Sequence, residues 1–493
     1  MANPNLSINK TSKLLFTVYA LIVLMSIFSA LLLDELLLVG LPAFVLLIFQ
    51  TLANYKNVYF FLFACVPIST EFYFSSSLAT DLPTEPLIVG LTLVYLLQVL
   101  LNPQRINGLF WKHPIAVILL LHFIWIAYAS VVSYDIGVSI KYSLAKFWYI
   151  ITFFFLSGHV LKEDKDIKKI FWLIAIPLAL ATAKVIAHHY TLNFGFKEIN
   201  NATFPFFRNH VNYAAILALF VPIVWFMRHW YPVFSKAWLL VIGILGILLM
   251  GVAFAYTRAA YVALIMAMGA YWVVRFRLVR WALLGASVLL VGVFIYMVSN
   301  NKFIDYAPSE RTIAHEEFGD IVSATSKLED VSTMERYYRW IAGVRMSSKE
   351  VLTGYGPGNF HNFYKGYTLN KFETYVSDNP ERSGIHNYYL MTLVEQGIIG
   401  LLIFVGLSFF VLLKGEQIYH ECKTQVRKNI VMSMLLSLII IDAFLLINDM
   451  IETDKVGSFF FFYMAVLVVI DLWNKREAQA KSVSSNTTRD VVE

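Results

Sequence analysis

The chain has 493 residues, 58% of them hydrophobic and only 15% charged, with a mean hydropathy of +0.65. Soluble proteins carry about 25% charged residues, so a soluble globular fold is excluded. The net charge of +6 needs no nucleic-acid partner, because basic residues collect on one side of a membrane protein.

Apolar runs recur from end to end, and each is long enough to cross a hydrocarbon core of about 30 Å as a helix. In chain order they cover 14–33, 36–54, 57–70, 87–101, 114–133, 145–161, 170–187, 211–227, 237–255, 259–274, 281–299, 388–413, 430–448 and 456–472. The third is short and the fourth marginal, which sets the expected number at about 12–14. Unpaired backbone is not tolerated in lipid, so the fold class is all-α: a polytopic integral membrane protein with one large, partly helical periplasmic loop. The organisation reads as membrane helices 1–11 over 1–299, a loop domain over 300–387, helices 12–14 over 388–473 and a disordered cytoplasmic tail over 474–493. No small-residue cleavage site follows the first run, so it is expected to be retained. Cys65 and Cys422 are too few for a cysteine metal site, and their expected depths differ, which argues against a disulfide.

Orientation follows from the basic residues. With the N-terminus inside, the inner segments hold 22 Lys and Arg and the short outer connections hold six: Lys141, Lys146, Lys197, Arg208, Arg258 and Lys455. The long loop does not count towards this rule. Both termini are therefore expected in the cytoplasm, and loop 300–387 on the exterior or periplasmic side. Within that loop, Met334 to Lys349 is amphipathic, with Tyr337, Tyr338, Ile341 and Val344 at helical spacing. Gly354-Tyr355-Gly356-Pro357-Gly358 then forces a turn. That run lacks the Lys-Ser/Thr of a phosphate-binding P-loop.

This topology gathers four unusual residues at the outer interface. Arg258, in Tyr256-Thr257-Arg258-Ala259-Ala260, lies at the junction of segments nine and ten, and Arg208 precedes segment eight. Arg336 is in the loop, and His386 opens segment twelve. A snorkelling interfacial arginine is the bland account of Arg258; an anion clamp, in which a planar fork meets phosphate oxygens, is the functional one. At a helix start the dipole disfavours imidazolium, which keeps His386 available as a neutral base. Gly397 and Gly400 would let a neighbouring helix approach. Glu395 is about 13 Å deeper than His386 at 1.5 Å per residue and is expected to pair with another helix. Lys184 reads as a snorkelling lysine. His188, His189 and His210 have no carboxylate or cysteine at ligand spacing, so no metal is expected.

The run His386-Asn387, nine residues, Gly397, two residues, Gly400 resembles the signature of the O-antigen ligase and O-antigen polymerase superfamily. Thr257-Arg258-Ala259-Ala260 resembles that family's arginine at an outer helix junction. Arg336 followed by Trp340 resembles the start of its periplasmic loop helix, and Gly354 to Phe360 its glycine-rich turn. Asn212, opening segment eight, is similar to its asparagine-alanine helix start. The resemblance covers about 205–410.

It implies a metal-independent, inverting glycosyltransferase without cofactor, acting in lipopolysaccharide or surface polysaccharide biosynthesis. The donor would be a polyprenyl-diphosphate glycan. The acceptor would be a lipid A core, a growing glycan or a protein hydroxyl, which leaves ligase, polymerase and protein O-oligosaccharyltransferase open. Membrane lipid is the surrounding partner; neither nucleic acid nor nucleotide is expected. In these roles His386 is the base or acceptor-orienting group, and Arg258, Arg336 and Arg208 bind the diphosphate. Asn387, Gly397, Gly400 and Glu395 support them. A lipid-linked oligosaccharide flippase is the rival from another class, but such transporters show midplane polar residues and repeats, and here the polar residues gather at one face.

Overall fold

A computed structural model describes residues 4–33, 40–75, 78–306, 331–380 and 382–489. The chain forms helices α1 (Pro4–Leu33), α2 (Leu41–Cys65), α3 (Thr84–Leu101), α4 (Pro114–Val131) and α5 (Ile136–Ile150). α5 runs on through a π turn to Val160. Next come α6 (Asp164–Thr191), α7 (His210–Met227), α8 (Lys236–Phe254), α9 (Arg258–Arg275) and α10 (Val279–Val298). After the loop helix α11 (Val331–Ser347), the chain ends with α12 (Tyr388–Glu421), α13 (Gln425–Leu445) and α14 (Asp454–Arg489). The described strands, β1 (Thr70–Ser75) and β2 (Leu78–Leu82), form one antiparallel hairpin between α2 and α3.

Among the described residues, ten helices are long and apolar enough to cross a membrane. The fold is therefore an all-α, multi-pass membrane protein. Two details differ from the sequence reading. Segments 36–54 and 57–70 share one helix, α2 (Leu41–Cys65), broken at Asn54 (φ −150°, ψ 62°); composition shows two apolar runs but not the single backbone break that joins them. The tail over 474–493, expected to be disordered from its Ser, Thr and Asn content, is helical as far as Arg489, because α14 continues into it. The stretch 307–330 of the expected loop domain lies outside the described residues.

Burial orders the bundle. In α14, 94% of the apolar window is enclosed, against 0% in α10. α14 is thus a central helix, while α10 stands at the periphery with Leu284, Val288 and Ile295 exposed.

Contacts also separate two ends. Lys56 pairs with Asp166 at 3.6 Å, Arg427 with Asp164 at 3.0 Å and Glu477 at 2.7 Å, and Lys414 and Lys475 with Asp471 at 3.4 and 2.7 Å. Four of the segments assigned to the inner side thus meet at one basic end. At the other end, Ser69 meets Asp454 (3.1 Å), Lys146 meets Glu452 (2.8 Å), and the His386 N–H meets Asp449 (3.0 Å).

Candidate active site

The site is built where α11, the segment before α12, and the α13–α14 connection converge. α11 turns Met334, Tyr338, Ile341 and Ala342 inwards, as its amphipathic spacing requires. The same face carries two charged residues, Glu335 and Arg339, 7% and 5% exposed. They meet as an i,i+4 pair at 3.5 Å. Glu335 also accepts from the Ser377 hydroxyl (2.6 Å) and from Thr374 Oγ1. Arg339 Nη1 donates to the Gly384 carbonyl (3.2 Å). A buried pair is costly unless its hydrogen-bonding capacity is met; these bonds meet most of it, Arg339 Nε excepted among the described residues, and tie α11 to the segment leading into His386.

His386 has a left-handed backbone (φ +58°), uncommon for a residue with a Cβ. Asp449 holds it there: Oδ2 accepts the His386 N–H at 3.0 Å. The same oxygen lies against Gly384, where any Cβ would overlap it. Asn387 caps α12, its Oδ1 accepting from the Leu390 N–H (2.9 Å), and its Nδ2 donates to the Leu446 carbonyl (2.9 Å). The histidine is thereby fixed between α12 and the end of α13.

Electrostatics make this imidazole neutral. Burial, then the guanidinium groups of Arg339 and Arg336, push its pKa down to about 3, opposed by a hydrogen bond with Asn448. The sequence reading assigned the shift to the helix dipole; the causes are desolvation and two arginines. Burial pushes Asp449 the other way, to about 7, although the backbone N–H groups of His386 and Asn387 favour its charged form. Its Oδ1 is buried and has no hydrogen-bond partner among the described residues. Arg336, unlike Arg339, remains half-exposed.

The glycine-rich turn is wedged into α12. The helix breaks at Gly397 (φ +70°, ψ −174°), a conformation essentially confined to glycine. The Tyr355 N–H donates to the Val394 carbonyl (2.9 Å), the Gly356 N–H to the Glu395 carbonyl (2.9 Å), and the Ile398 N–H to the Val351 carbonyl (2.8 Å). The Glu395 carboxylate accepts the N–H groups of Gly358 (2.9 Å) and Phe360 (3.1 Å). So Glu395 pairs with the turn, not with another helix as expected. Gly397 makes room for the Leu352 carbonyl, while Gly400 does admit a helix, through Trp125 of α4. Trp125 Nε1 also donates to the Gln396 carbonyl (2.8 Å), which satisfies backbone freed by the break. Gly397→Ala is expected to destabilise the protein by about 1–3 kcal/mol from the backbone conformation alone, with further loss from overlap with Leu352. Thermal unfolding in detergent checks this; an unchanged midpoint would mean that the wedge contributes nothing.

Of the other predicted residues, Arg258 heads α9, where Thr257 Oγ1 donates to the His210 carbonyl (3.4 Å). The other end of α9 meets the basic end of α12, where His420 Nε2 lies 3.0 Å from the Val274 carbonyl, so Arg258 heads the end of α9 away from the basic residues. Arg208 stands apart: it is exposed, and its charge acts on Tyr73 of the hairpin. Asn212 lies in the first turn of α7, capped by Asn209. Sequence reasoning missed Arg339 and Asp449. Arg339 carried a signal, lying three residues after Arg336 on the same helical side. Asp449 carried one too, as a carboxylate between two membrane helices.

An apolar groove of about 910 Å³ runs from this site along the bundle. α9, α10, α12 and α13 line it, and Trp340 and Val344 of α11 cover its end beside Asn387.

Residues 243–405 match the O-antigen ligase family. The matched span runs from within α8 to within α12, and holds Arg258, Arg336, Arg339, the glycine-rich turn, His386, Gly397 and Gly400. The resemblance drawn from the histidine and glycine motifs is therefore borne out. Asp449 and Arg208 lie outside the matched span. Comparison with curated proteins gives no match. The O-antigen ligase family, together with ten apolar helices, supports a multi-pass membrane enzyme of glycosyltransferase type with a general O-antigen ligase-like function.

Proposed function

We propose that this O-antigen ligase-like protein transfers a glycan from a polyprenyl-diphosphate donor to an acceptor hydroxyl at the periplasmic face of the inner membrane. The observation that carries this reading is His386, next to Asn387 at the end of a long apolar groove, with the charges of Arg339 and Arg336 acting on it. A lipid-borne diphosphate has the matching chemistry: two charged phosphates joined to an apolar chain.

In the proposed step, the acceptor oxygen attacks the anomeric carbon from the face opposite the diphosphate. The carbon–oxygen bond to phosphate breaks, and its electron pair leaves with the polyprenyl diphosphate. The hydroxyl proton passes to the neutral His386. Arg336, the accessible guanidinium, stabilises the charge growing on the leaving group, in the manner of an oxyanion hole. Arg258 is assigned as a second clamp from the head of α9. Arg339 and Asp449 act as positioning residues: Arg339 holds the Gly384 carbonyl and Asp449 holds the His386 N–H. Arg208, exposed beside Tyr73, has the weakest claim to the diphosphate. The groove takes the polyprenyl chain, and the peripheral α10 leaves a lateral way in from the bilayer. The bond energy of the diphosphate supplies the driving force, so neither metal nor nucleotide enters the scheme.

Purified protein in liposomes should join glycan from a polyprenyl-diphosphate donor to an acceptor without nucleotide. Gly269 lines the groove, and a Cβ there would meet nothing within 4 Å. Gly269→Trp should therefore fold, fill the groove, and raise KM for a long-chain donor more than for a short-chain one. Equal KM changes for both donors would remove the groove from the scheme, and failure of any transfer would remove the scheme itself. Deleting the gene identifies the acceptor: loss of polymer on the lipid A core marks a ligase, a single capped repeat a polymerase, and unmodified glycoproteins a protein transferase.

A further inference from the structure

We propose that the basic end of the bundle, opposite the active site, holds a binding site for the headgroup of an anionic phospholipid. Two adjoining clefts of about 260 and 380 Å³ open there, and Lys162, Trp473 and Arg476 line both. The acidic residues around them are already engaged. Arg427 takes Asp164 and Glu477, Asp166 takes Lys56 and the Lys162 backbone N–H, and Glu163 is 3.8 Å from Lys165. Among the described residues, no carboxylate lies within ion-pairing distance of the Lys162 ammonium or the Arg476 guanidinium. Two like charges thus share one cleft with no carboxylate paired directly to either, although Glu163, Asp164 and Glu477 also line the second cleft; burial, then Lys56 and Arg476, lower the Lys162 pKa, opposed by Asp166.

An anion that fits must bring its own apolar part. The first cleft is floored by Leu161, Val469 and Leu472, and the last two belong to the spanning part of α14. Trp473 stands where an indole marks a membrane interface, with the Arg427 guanidinium 5.4 Å from its ring centre. A phosphodiester bearing acyl chains meets both demands, and basic pockets between membrane helices suit such headgroups. A soluble phosphate or nucleotide would use the cations but not the apolar floor. The inference concerns neither His386 nor the donor, so it stands or falls separately from the transferase reading.

The test uses the full chain in detergent. Native mass spectrometry should show phosphatidylglycerol or cardiolipin retained in preference to phosphatidylethanolamine at equal mole fraction. Lys162→Gln with Arg476→Gln should lower that preference on the order of tenfold or more, while the charge-preserving Lys162→Arg keeps it. Glycan transfer in phosphatidylethanolamine liposomes should be unchanged by these substitutions. Wild-type protein without an anionic-lipid preference overturns the proposal whether or not the variants fold. Undiminished preference in the double variant overturns it too, as does equal thermal stabilisation by inorganic phosphate or ATP.

Discussion

Replacing His386 by alanine is expected to lower glycan transfer by about 10²- to 10⁴-fold, the contribution of a positioned general base. The fold should tolerate it, because the strained backbone at His386 is held by the N–H bond to Asp449, which alanine keeps. Membrane levels and thermal midpoint should stay near those of the wild type. The pH profile adds a second readout. In the free enzyme, burial and the two arginines hold the imidazole at about 3. A bound diphosphate brings negative charge between it and those arginines, which raises the pKa and strengthens the base. The acid limb of kcat should therefore lie at higher pH than that of kcat/KM, since the former reports the complex and the latter the free enzyme. Coinciding limbs, or a His386→Ala variant with near wild-type transfer, would remove the histidine from the chemistry.

The second large effect separates the two arginines of α11. Arg336→Lys keeps the charge but loses the fork that meets phosphate oxygens in a bidentate manner. A loss of about 10²- to 10³-fold in transfer is expected, the scale for removing one preorganised donor from an oxyanion site, with little change in stability. Arg339→Ala should behave differently. It leaves Glu335, 7% exposed, without its cation and frees the Gly384 carbonyl. Breaking a buried pair costs about 3–5 kcal/mol, so here the thermal midpoint should fall together with activity. Transfer assays and unfolding curves on both variants decide this. If Arg336→Lys were the destabilised one, or Arg339→Ala the stable one, the division of roles would be reversed.

Much of the architecture could be read from local pattern. Spans follow from runs of apolar residues, and basic bias puts Lys56, Lys414 and Lys475 on one side; their ion pairs lie at one end of the bundle. His386 and Arg336 were visible because each sits in a short motif of its own. What stayed hidden depends on distant pairing. Gly397 looked like a helix-packing glycine, because nothing local shows that the Leu352 carbonyl comes against it. Glu395 looked like an intramembrane carboxylate seeking a helix, because its partners are backbone N–H groups of a turn some 35 residues away. Asp449 is 63 residues from the histidine it holds. Arg339 went unremarked, because burial of a charge is invisible without its partner Glu335 and the hydroxyls of Thr374 and Ser377. The break in α2 at Asn54 escaped for a related reason: a single backbone conformation leaves no trace in composition.

Equilibrium binding of a polyprenyl-diphosphate glycan to the purified protein in lipid nanodiscs tests the central claim most directly, because it parts the grip on the donor from the chemistry. His386→Ala should bind the donor within about threefold of wild type, since a base acts on the acceptor proton, while Arg336→Gln should bind at least about tenfold more weakly through loss of a charged phosphate contact. Undiminished binding by Arg336→Gln, or loss of binding by a well-folded His386→Ala, would contradict the account.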